Sequence, residues 1–572
     1  MEFNHADLFE ALADGMGDRR ALVSPDAFGR TRELTFAQLD AEADALAHAL
    51  LDAGLGPGDH VGLQMFNCVE HIAAVLAALK IRAVPVNVNY RYVEDELVYL
   101  YTDAELKALL YDGELADRVA PAVARFSPPH GPAGGDAGEG RPTGERLAGG
   151  RLIEVGVESG AVPGAVRYER AVAGRAGSGR ADPGGAESGR AGSGRAGARV
   201  PGPRSGGDLF IIYTGGTTGF PKGVMWRVED LLRAFWHNYT PFPATPEELV
   251  ETAKSGGPLV MMPVAPLIHG AAQVATFIGW WLGATICYVR RFDAADVLRT
   301  IARHRVNTIN ITGDAMARPL AEELASGAHD VSSLLVISST SALLSGPVRD
   351  RLAELLPNVG ILDNFGSTES GYTASGVSGG EAGEGLRYRA NDPGLTVLDE
   401  RLRPVEPGSG VIGQVARSGP IALGYWKDPG KTGRTFVTDA EGVRWLLTGD
   451  MATVEKDGTI AVLGRGSQCI NTGGEKVYAE EVEAVLKGHP DVFDAVVTGI
   501  PDERFGSRVA AVVEPREGTR PTAAQLDAHC RRSLSGYKVP RTYAFVPRMT
   551  RSPAGKADYR WAKETAQAAA TS

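Results

Sequence analysis

Apolar residues recur along this chain in two alternating periods. Phe36, Leu39, Ala43, Leu46 and Leu50 follow the 3.6-residue spacing of a helix with one buried face. Thr35 with Gln38 three residues later predicts a capping box at its start, and Gly54 a stop. Strand-length apolar runs then alternate with helical ones: strand His60 to Gln64, helix Val69 to Ile81, strand Ala83 to Asn87, helix Val93 to Thr102, strand Lys107 to Tyr111. This rhythm predicts an α/β fold with doubly wound parallel sheets. It breaks between about Phe126 and Gly207, where Gly, Ala, Arg, Pro and Ser dominate and GRAGSGRA occurs at both 174–181 and 189–196. Such a composition cannot bury enough apolar surface to offset its ordering entropy, so residues 126–207 read as a disordered insertion, removable between Pro128 and Gly206. The run RLIEVGV (151–157) reads as a residual strand inside it.

Alternation resumes with strand Asp208 to Tyr213, strand Val224 to Trp226, helix Asp230 to His237 and strand Leu259 to Val264. The apolar stretch Val274 to Val289 is short for a membrane span and broken by Gly279 and Gly283, so it reads as a helix ending near Trp281 and a strand from Ala284. Strands Thr308 to Ile311 and Leu334 to Ser338 flank a helix at Ala315 to Leu324, and Ile361 to Asn364 is a further strand. Short strands at Gly413 to Arg417, Arg444 to Leu447 and Ile460 to Leu463 predict a smaller β-rich lobe. Beyond it, strands at Ala495 to Ile500, Val509 to Glu514 and Tyr543 to Val546, with a helix at Ala523 to Leu534, predict a small α+β domain. The expected division is 1–465 and 466–572.

The 572 residues are too many for one ordinary domain, in keeping with that division. A net charge of -11 disfavours nucleic acid as a partner. Cys68, Cys287, Cys469 and Cys530 are widely spaced and form neither a metal pattern nor a disulfide framework, which points to a reducing cytoplasm. The first residues, MEFNHADLFEALADG, lack the basic and apolar regions of a signal peptide.

Candidate chemistry centres on YTGGTTGFPKG (213–223), between two apolar runs. Gly215, Gly216 and Gly219 permit close backbone approach to an anion, Thr214, Thr217 and Thr218 add hydroxyls, and Lys222 adds a positive charge. By itself this is either a phosphate-holding loop or a flexible polar hairpin. It is not a Walker loop, because Phe220 and Pro221 separate Gly219 from Lys222. PLIHG (266–270) offers His269, a core residue or a ligand-facing one. NFGSTESG (364–371) puts Glu369 on a loop beyond a strand, where a carboxylate can hold Mg²⁺ together with water and phosphate.

Taken together these strings resemble the adenylate-forming enzymes: acyl-CoA synthetases, luciferases and peptide-synthetase adenylation domains. The glycine loop is similar to their YTSGTTGxPKG, with Gly215 in place of the serine, and NFGSTE resembles their (Y/F)G(S/T)TE. SSTSALLS (338–345) stands where the family has GGAPL. The strings VPVNVNYRYVEDEL, TGDAMARPL, GEKVYAEEVEAVLKGHPDVFDA and YKVPR resemble actinobacterial fatty-acyl and steroid side-chain CoA ligases.

The resemblance implies ATP, Mg²⁺ and coenzyme A, a small-molecule carboxylic acid as substrate, and roles for particular residues. Thr214 to Gly219 with Lys222 hold phosphates. Glu369 is the metal ligand, and Gly366, Ser367 and Thr368 line the nucleotide beside Phe365, a flat surface for adenine. Asp450 of LTGD and Arg465 of GRGS hold ribose. His269 orients the substrate carboxylate or gates its tunnel. Ser467 is the hinge, where the family usually has Asp or Lys. Gly473 and Gly474 let a pantetheine arm pass. Lys556 of RSPAGKADYR neutralises charge between carboxylate and α-phosphate, and the C-terminal domain rotates between the two half-reactions. Two rival readings use the same pocket: an acyl-AMP ligase loading a carrier protein, and a non-synthetic ATP-binding or ATP-hydrolysing protein.

Overall fold

The structure is a computed structural model. It describes residues 3–126, 151–156, 162–173, 199–216, 219–236, 242–342, 344–376, 386–466, 469–472, 475–502, 506–551 and 557–571. Two large sheets carry the N-terminal domain. The eight-stranded sheet runs, in spatial order, Gly424–Tyr425, Gly219–Arg227, Leu209–Gly216, Val84–Asn87, His60–Gln64, Leu106–Asp112, Leu152–Val155 and Val166–Arg167. Its last six strands are parallel, as the alternating pattern requires. Helix Phe36–Asp52 starts at the expected capping box, with both reciprocal bonds formed. Helix Val69–Lys80 is buried along its whole length and packs against strands of both sheets, so its even apolar coat is a core signature.

Among the described residues the second sheet has fourteen strands. One half is parallel and includes Val260–Pro263, Thr308–Ile311, Val336–Ser339 and the first part of Gly360–Ser367. The other half is antiparallel and includes Gly371–Gly376, Gly413–Arg417, Arg444–Val454 and Ile460–Arg465. The expected β-rich lobe is therefore continuous with the main sheet. Strand Gly360–Ser367 is the joint: residues 360–363 pair parallel with Val336–Ser339, and residues 364–367 pair antiparallel with Gly371–Gly376.

C-terminal to strand Ile460–Arg465 comes the small α+β domain. A hairpin (Cys469–Thr472, Glu475–Tyr478) and helix Ala479–Lys487 lead into a three-stranded sheet of Val492–Asp502, Gly506–Pro515 and Thr542–Phe545. Its helix Ala523–Cys530 is shorter than expected because residues 531–538 turn.

Within the expected insertion over 126–207, residues 151–156, 162–173 and 199–207 belong to the fold, and the expected strand at 151–157 is present. Leu152–Val155 is a buried strand paired with Leu106–Asp112. Tyr168 donates to Glu42 Oε1 at 3.1 Å. Arg204 is buried against Asp7 and Glu10, and Glu10 also pairs with Lys80, a fully buried ammonium 2.8 Å from both Asp40 and Asp44. Arg199 joins the same network through Asp14 and Asp40. Removing one partner from a buried ion cluster leaves uncompensated charge, so these returns belong to the fold. The repeats at 174–198 lie outside the described residues.

Candidate functional site

The glycine loop is the tip of a hairpin. Strands Leu209–Gly216 and Gly219–Arg227 pair with Thr214 opposite Lys222 and Gly216 opposite Gly219. Thr217 and Thr218 lie outside the described residues. Asn87, buried at the end of its strand, fixes the hairpin's base: its Oδ1 accepts from Tyr213 N–H at 2.8 Å, and its Nδ2 donates to Tyr213 O at 2.9 Å and Ile268 O at 2.5 Å. One side chain thus ties the glycine loop to the segment carrying His269. Tyr213 also donates to Asp103 at 2.7 Å, and Phe220 stacks on Tyr99 with centroids 4.3 Å apart.

Glu369 sits in the turn between Gly360–Ser367 and Gly371–Gly376. A side chain at Gly366 would collide with the carbonyl of Gly371, whose φ of +72° lies in the left-handed region. Ser367 and Ser370 close the turn, each hydroxyl accepting the other's backbone N–H, at 3.2 and 2.9 Å respectively. Trp226 Nε1 donates to Thr368 O at 2.9 Å, joining this turn to the glycine hairpin. The short strand Gly424–Tyr425 pairs with Gly219–Arg227, which brings the Tyr425 hydroxyl to Glu369 Oε1 at 2.8 Å. Half-buried Phe365 meets Tyr388 with centroids 5.0 Å apart. Tyr388 donates to Asp363 at 3.2 Å, and burial pushes the Asp363 carboxyl up to about 6.

Asp450 and Arg465 are cross-strand partners, with Nε 2.8 Å from Oδ1. Thr448 fixes both: its hydroxyl accepts from Asp450 N–H at 3.1 Å and its carbonyl from Arg465 Nη1 at 3.1 Å. The first turn of helix Ala479–Lys487 reaches this corner. Glu480 Oε1 accepts from Arg465 N–H at 3.4 Å, and Oε2 lies where a side chain at Gly464 would be. Burial, with Glu483 and Asp450 nearby, raises the Glu480 carboxyl to about 7. The C-terminal domain also docks on helix Gly313–Ala325, where Arg318 lies 5.6 Å from the Phe493 ring beside the bidentate Arg551–Asp494 pair.

Between the hairpin, the start of helix Gly270–Trp281 and the Glu369 turn lies a small open cleft, lined among others by Ile212, Phe235, Thr340, Ser341, Thr368 and Tyr372. Half-buried His269 is the N-cap residue of helix Gly270–Trp281 at its edge. Ser341 has φ +69°, a conformation that favours glycine. That accounts for the glycine pair in the resembling family and marks the serine here as a local departure.

The structure therefore brings together Thr214, Gly215, Gly216, Gly219, Lys222, His269, Phe365, Gly366, Ser367, Thr368 and Glu369, with Asp450 and Arg465 at one corner. Ser467, Gly473, Gly474 and Lys556 lie outside the described residues. Sequence reading missed Asn87, Asp363, Tyr388, Tyr425 and Glu480. Tyr425 lies on the two-residue strand Gly424–Tyr425, too short to show a period, and the others carry no local signal because their partners are distant in the chain. Among the described residues no cluster of three potential metal-ligating side chains occurs, and no helix is long and apolar enough to cross a membrane.

Comparison with known proteins gives the family and the fold. The AMP-binding enzyme family matches residues 9–426, and the AMP-binding enzyme C-terminal domain matches residues 481–556. The chain is 44% identical to a medium/long-chain-fatty-acid–CoA/3-oxocholest-4-en-26-oate–CoA ligase of Mycobacterium marinum, covering 99% of this chain and 97% of that protein. It is 42% identical to a 3-oxocholest-4-en-26-oate–CoA ligase of Rhodococcus rhodochrous, covering 99% and 96%. In fold it resembles the anthranilate CoA ligase AuaEII in complex with anthranoyl-AMP (TM-score 0.77, 23% identity, covering 100% and 98%). It likewise resembles ATP-bound MatB of Rhodopseudomonas palustris (TM-score 0.74, 24% identity, covering 98% and 99%). The chain belongs to the AMP-binding enzyme family.

Proposed function

We propose that this protein is an ATP-dependent acyl-CoA synthetase that activates a fatty or steroid side-chain carboxylic acid as its acyl-adenylate and transfers the acyl group to coenzyme A. The observation that carries the reading is convergence: the glycine hairpin, the Glu369 turn and the His269 segment are hydrogen-bonded to one another around one cleft. The names of the relatives, similar along nearly the whole chain, support the substrate class.

In this reading ATP lies with its phosphates on Thr214 to Gly219 and Lys222, its ribose on Asp450 and Arg465 and its adenine against Phe365. The donor set suits Mg²⁺: a single half-buried carboxylate on a turn leaves the remaining positions to water and phosphate. Glu369 would hold the ion, which supplies charge neutralisation for the phosphates. His269 orients the acid's carboxylate toward the α-phosphorus, and Lys556 stabilises the charge that develops as pyrophosphate leaves. Rotation about Ser467 then exchanges the Lys556 face for Gly473–Gly474, past which the pantetheine thiol attacks the adenylate and AMP leaves. We place the enzyme in the cytoplasm, since no disulfide joins the four cysteines.

The test is pyrophosphate release across acids from short chains to sterol side chains, followed by acyl-CoA detection. Release that requires both ATP and a carboxylic acid, with CoA ester as product, is expected. Acyl-adenylate that accumulates with free coenzyme A present would favour a carrier-loading ligase, and hydrolysis without acid would refute synthesis altogether.

A further inference from the structure

Lys431 stands beside the candidate metal carboxylate, and nothing in the family resemblance assigns it a role. It belongs to the short helix Pro429–Thr435 that follows strand Gly424–Tyr425. Its ammonium lies 3.9 Å from the centre of the Tyr425 ring, and the hydroxyl of that same ring donates to Glu369 Oε1 at 2.8 Å. Tyr425 is thus a bridge with Lys431 on its face and Glu369 at its tip.

The charge balance around this bridge is uneven. Asp428 accepts the Lys431 backbone N–H at 2.9 Å through Oδ1, and its Oδ2 pairs with Lys222 of the glycine hairpin at 3.2 Å. The Asp428 carboxylate is therefore engaged by Lys222. Lys431 is half-buried, and no carboxylate among the described residues lies within ion-pair distance of its ammonium. Desolvation holds its pKa below the ordinary lysine value, with the attraction of Glu369 and Asp428 opposing and Lys222 and Arg465 adding to the depression. A ring face offsets only part of the cost of desolvating an ammonium. A cation kept short of counter-charge, between the glycine hairpin and a magnesium-suited carboxylate, is completed by a polyanion.

We propose that Lys431 is a second polyphosphate-binding lysine, which holds the β- and γ-phosphates of ATP, and the pyrophosphate that leaves, on the Glu369 side of the glycine loop. The inference rests on the nucleotide part of the function proposed above. It differs from an AMP contact in a decisive way: AMP lacks the two phosphates that Lys431 would hold.

The experiment is calorimetric titration of the full-length protein with Mg-ATP, Mg-pyrophosphate and AMP, for wild type, Lys431→Met and Lys431→Arg. Loss of one charge-assisted contact at a half-exposed site predicts about tenfold weaker ATP and pyrophosphate binding for Lys431→Met, AMP binding within about twofold of wild type, and partial recovery by Lys431→Arg. In kinetics, KM for ATP rises while acyl transfer from pre-made acyl-adenylate to coenzyme A is unchanged. Unchanged ATP and pyrophosphate affinities, or an equal loss for AMP, would overturn the assignment. If Lys431→Met does not fold, Lys431→Gln, which keeps most of the stem, takes its place. The binding arms involve neither acid nor coenzyme A, so an error in the acyl acceptor leaves them intact. A wild-type chain that bound no ATP would overturn the nucleotide reading and this inference together.

Discussion

Asn87→Ala tests whether the phosphate loop depends on one buried amide. The side chain makes three hydrogen bonds, two with the backbone of Tyr213 and one with Ile268. Each contributes about 1 kcal/mol net, and a buried group left unpaired costs about 1–3 kcal/mol. Three such losses come to about 3 kcal/mol if water enters the gap, and more if it does not. The loss falls on the alignment of the glycine hairpin with the His269 segment. At about 1.4 kcal/mol per factor of ten it lowers kcat/KM for adenylate formation by on the order of 10²-fold. Asn87→Asp sharpens the test. It keeps the acceptor for Tyr213 N–H but turns a carboxylate toward two carbonyl oxygens, so it falls below Asn87→Ala. The assays are single-turnover pyrophosphate release and amide hydrogen exchange over residues 209–216 and 264–270, with thermal unfolding to check the global fold. Asn87→Asp at or above Asn87→Ala in activity, or both within threefold of wild type with unchanged exchange, would refute the argument.

Lys556→Ala lowers adenylate formation by on the order of 10²-fold while leaving transfer from pre-made acyl-adenylate near wild type, and Gly473→Leu does the reverse. Single-turnover kinetics of each half-reaction separates them, and equal losses in both halves would sink the rotation. Replacing Gly174–Ala198 by about eight Gly/Ser residues keeps fold and activity, because Tyr168 and Arg199 on either side both anchor on helix Phe36–Asp52. Deleting 128–206 abolishes soluble expression, because it removes strand Leu152–Val155 and the Arg199 and Arg204 anchors. Glu480→Gln tests the docking corner. The folded carboxyl, raised to about 7 from 4.5, favours the folded state most below pH 4.5, and that contribution is lost as pH rises through 7. The variant therefore comes closest to wild type near pH 4 and is the more heat-stable at pH 8. An equal gap at both pH values contradicts the reading.

Local patterns determined much of this protein. The capping box at Thr35, the strand–helix alternation from His60 to Tyr111 and the order of the candidate motifs are properties of short stretches, because period and turn chemistry act over a few residues. Asp450 and Arg465 were legible as candidate ribose-holding residues through family resemblance, whereas their contact with each other across two strands is seen only in the structure. What only the tertiary structure decided is what depends on partners far apart in sequence. Composition marked 126–207 as a spacer holding one residual strand, yet only the structure shows that strand, Leu152–Val155, buried and paired with Leu106–Asp112. Arg199 and Arg204 look like the other arginines of that tract, and differ because acidic residues near the N-terminus await them. Asn87, Tyr425 and Lys431 have no local signature at all. Each acquires its place when strands from three parts of the chain close around the glycine hairpin, since a hydrogen bond or a charge contact is set by distance in space, over which sequence separation has no hold.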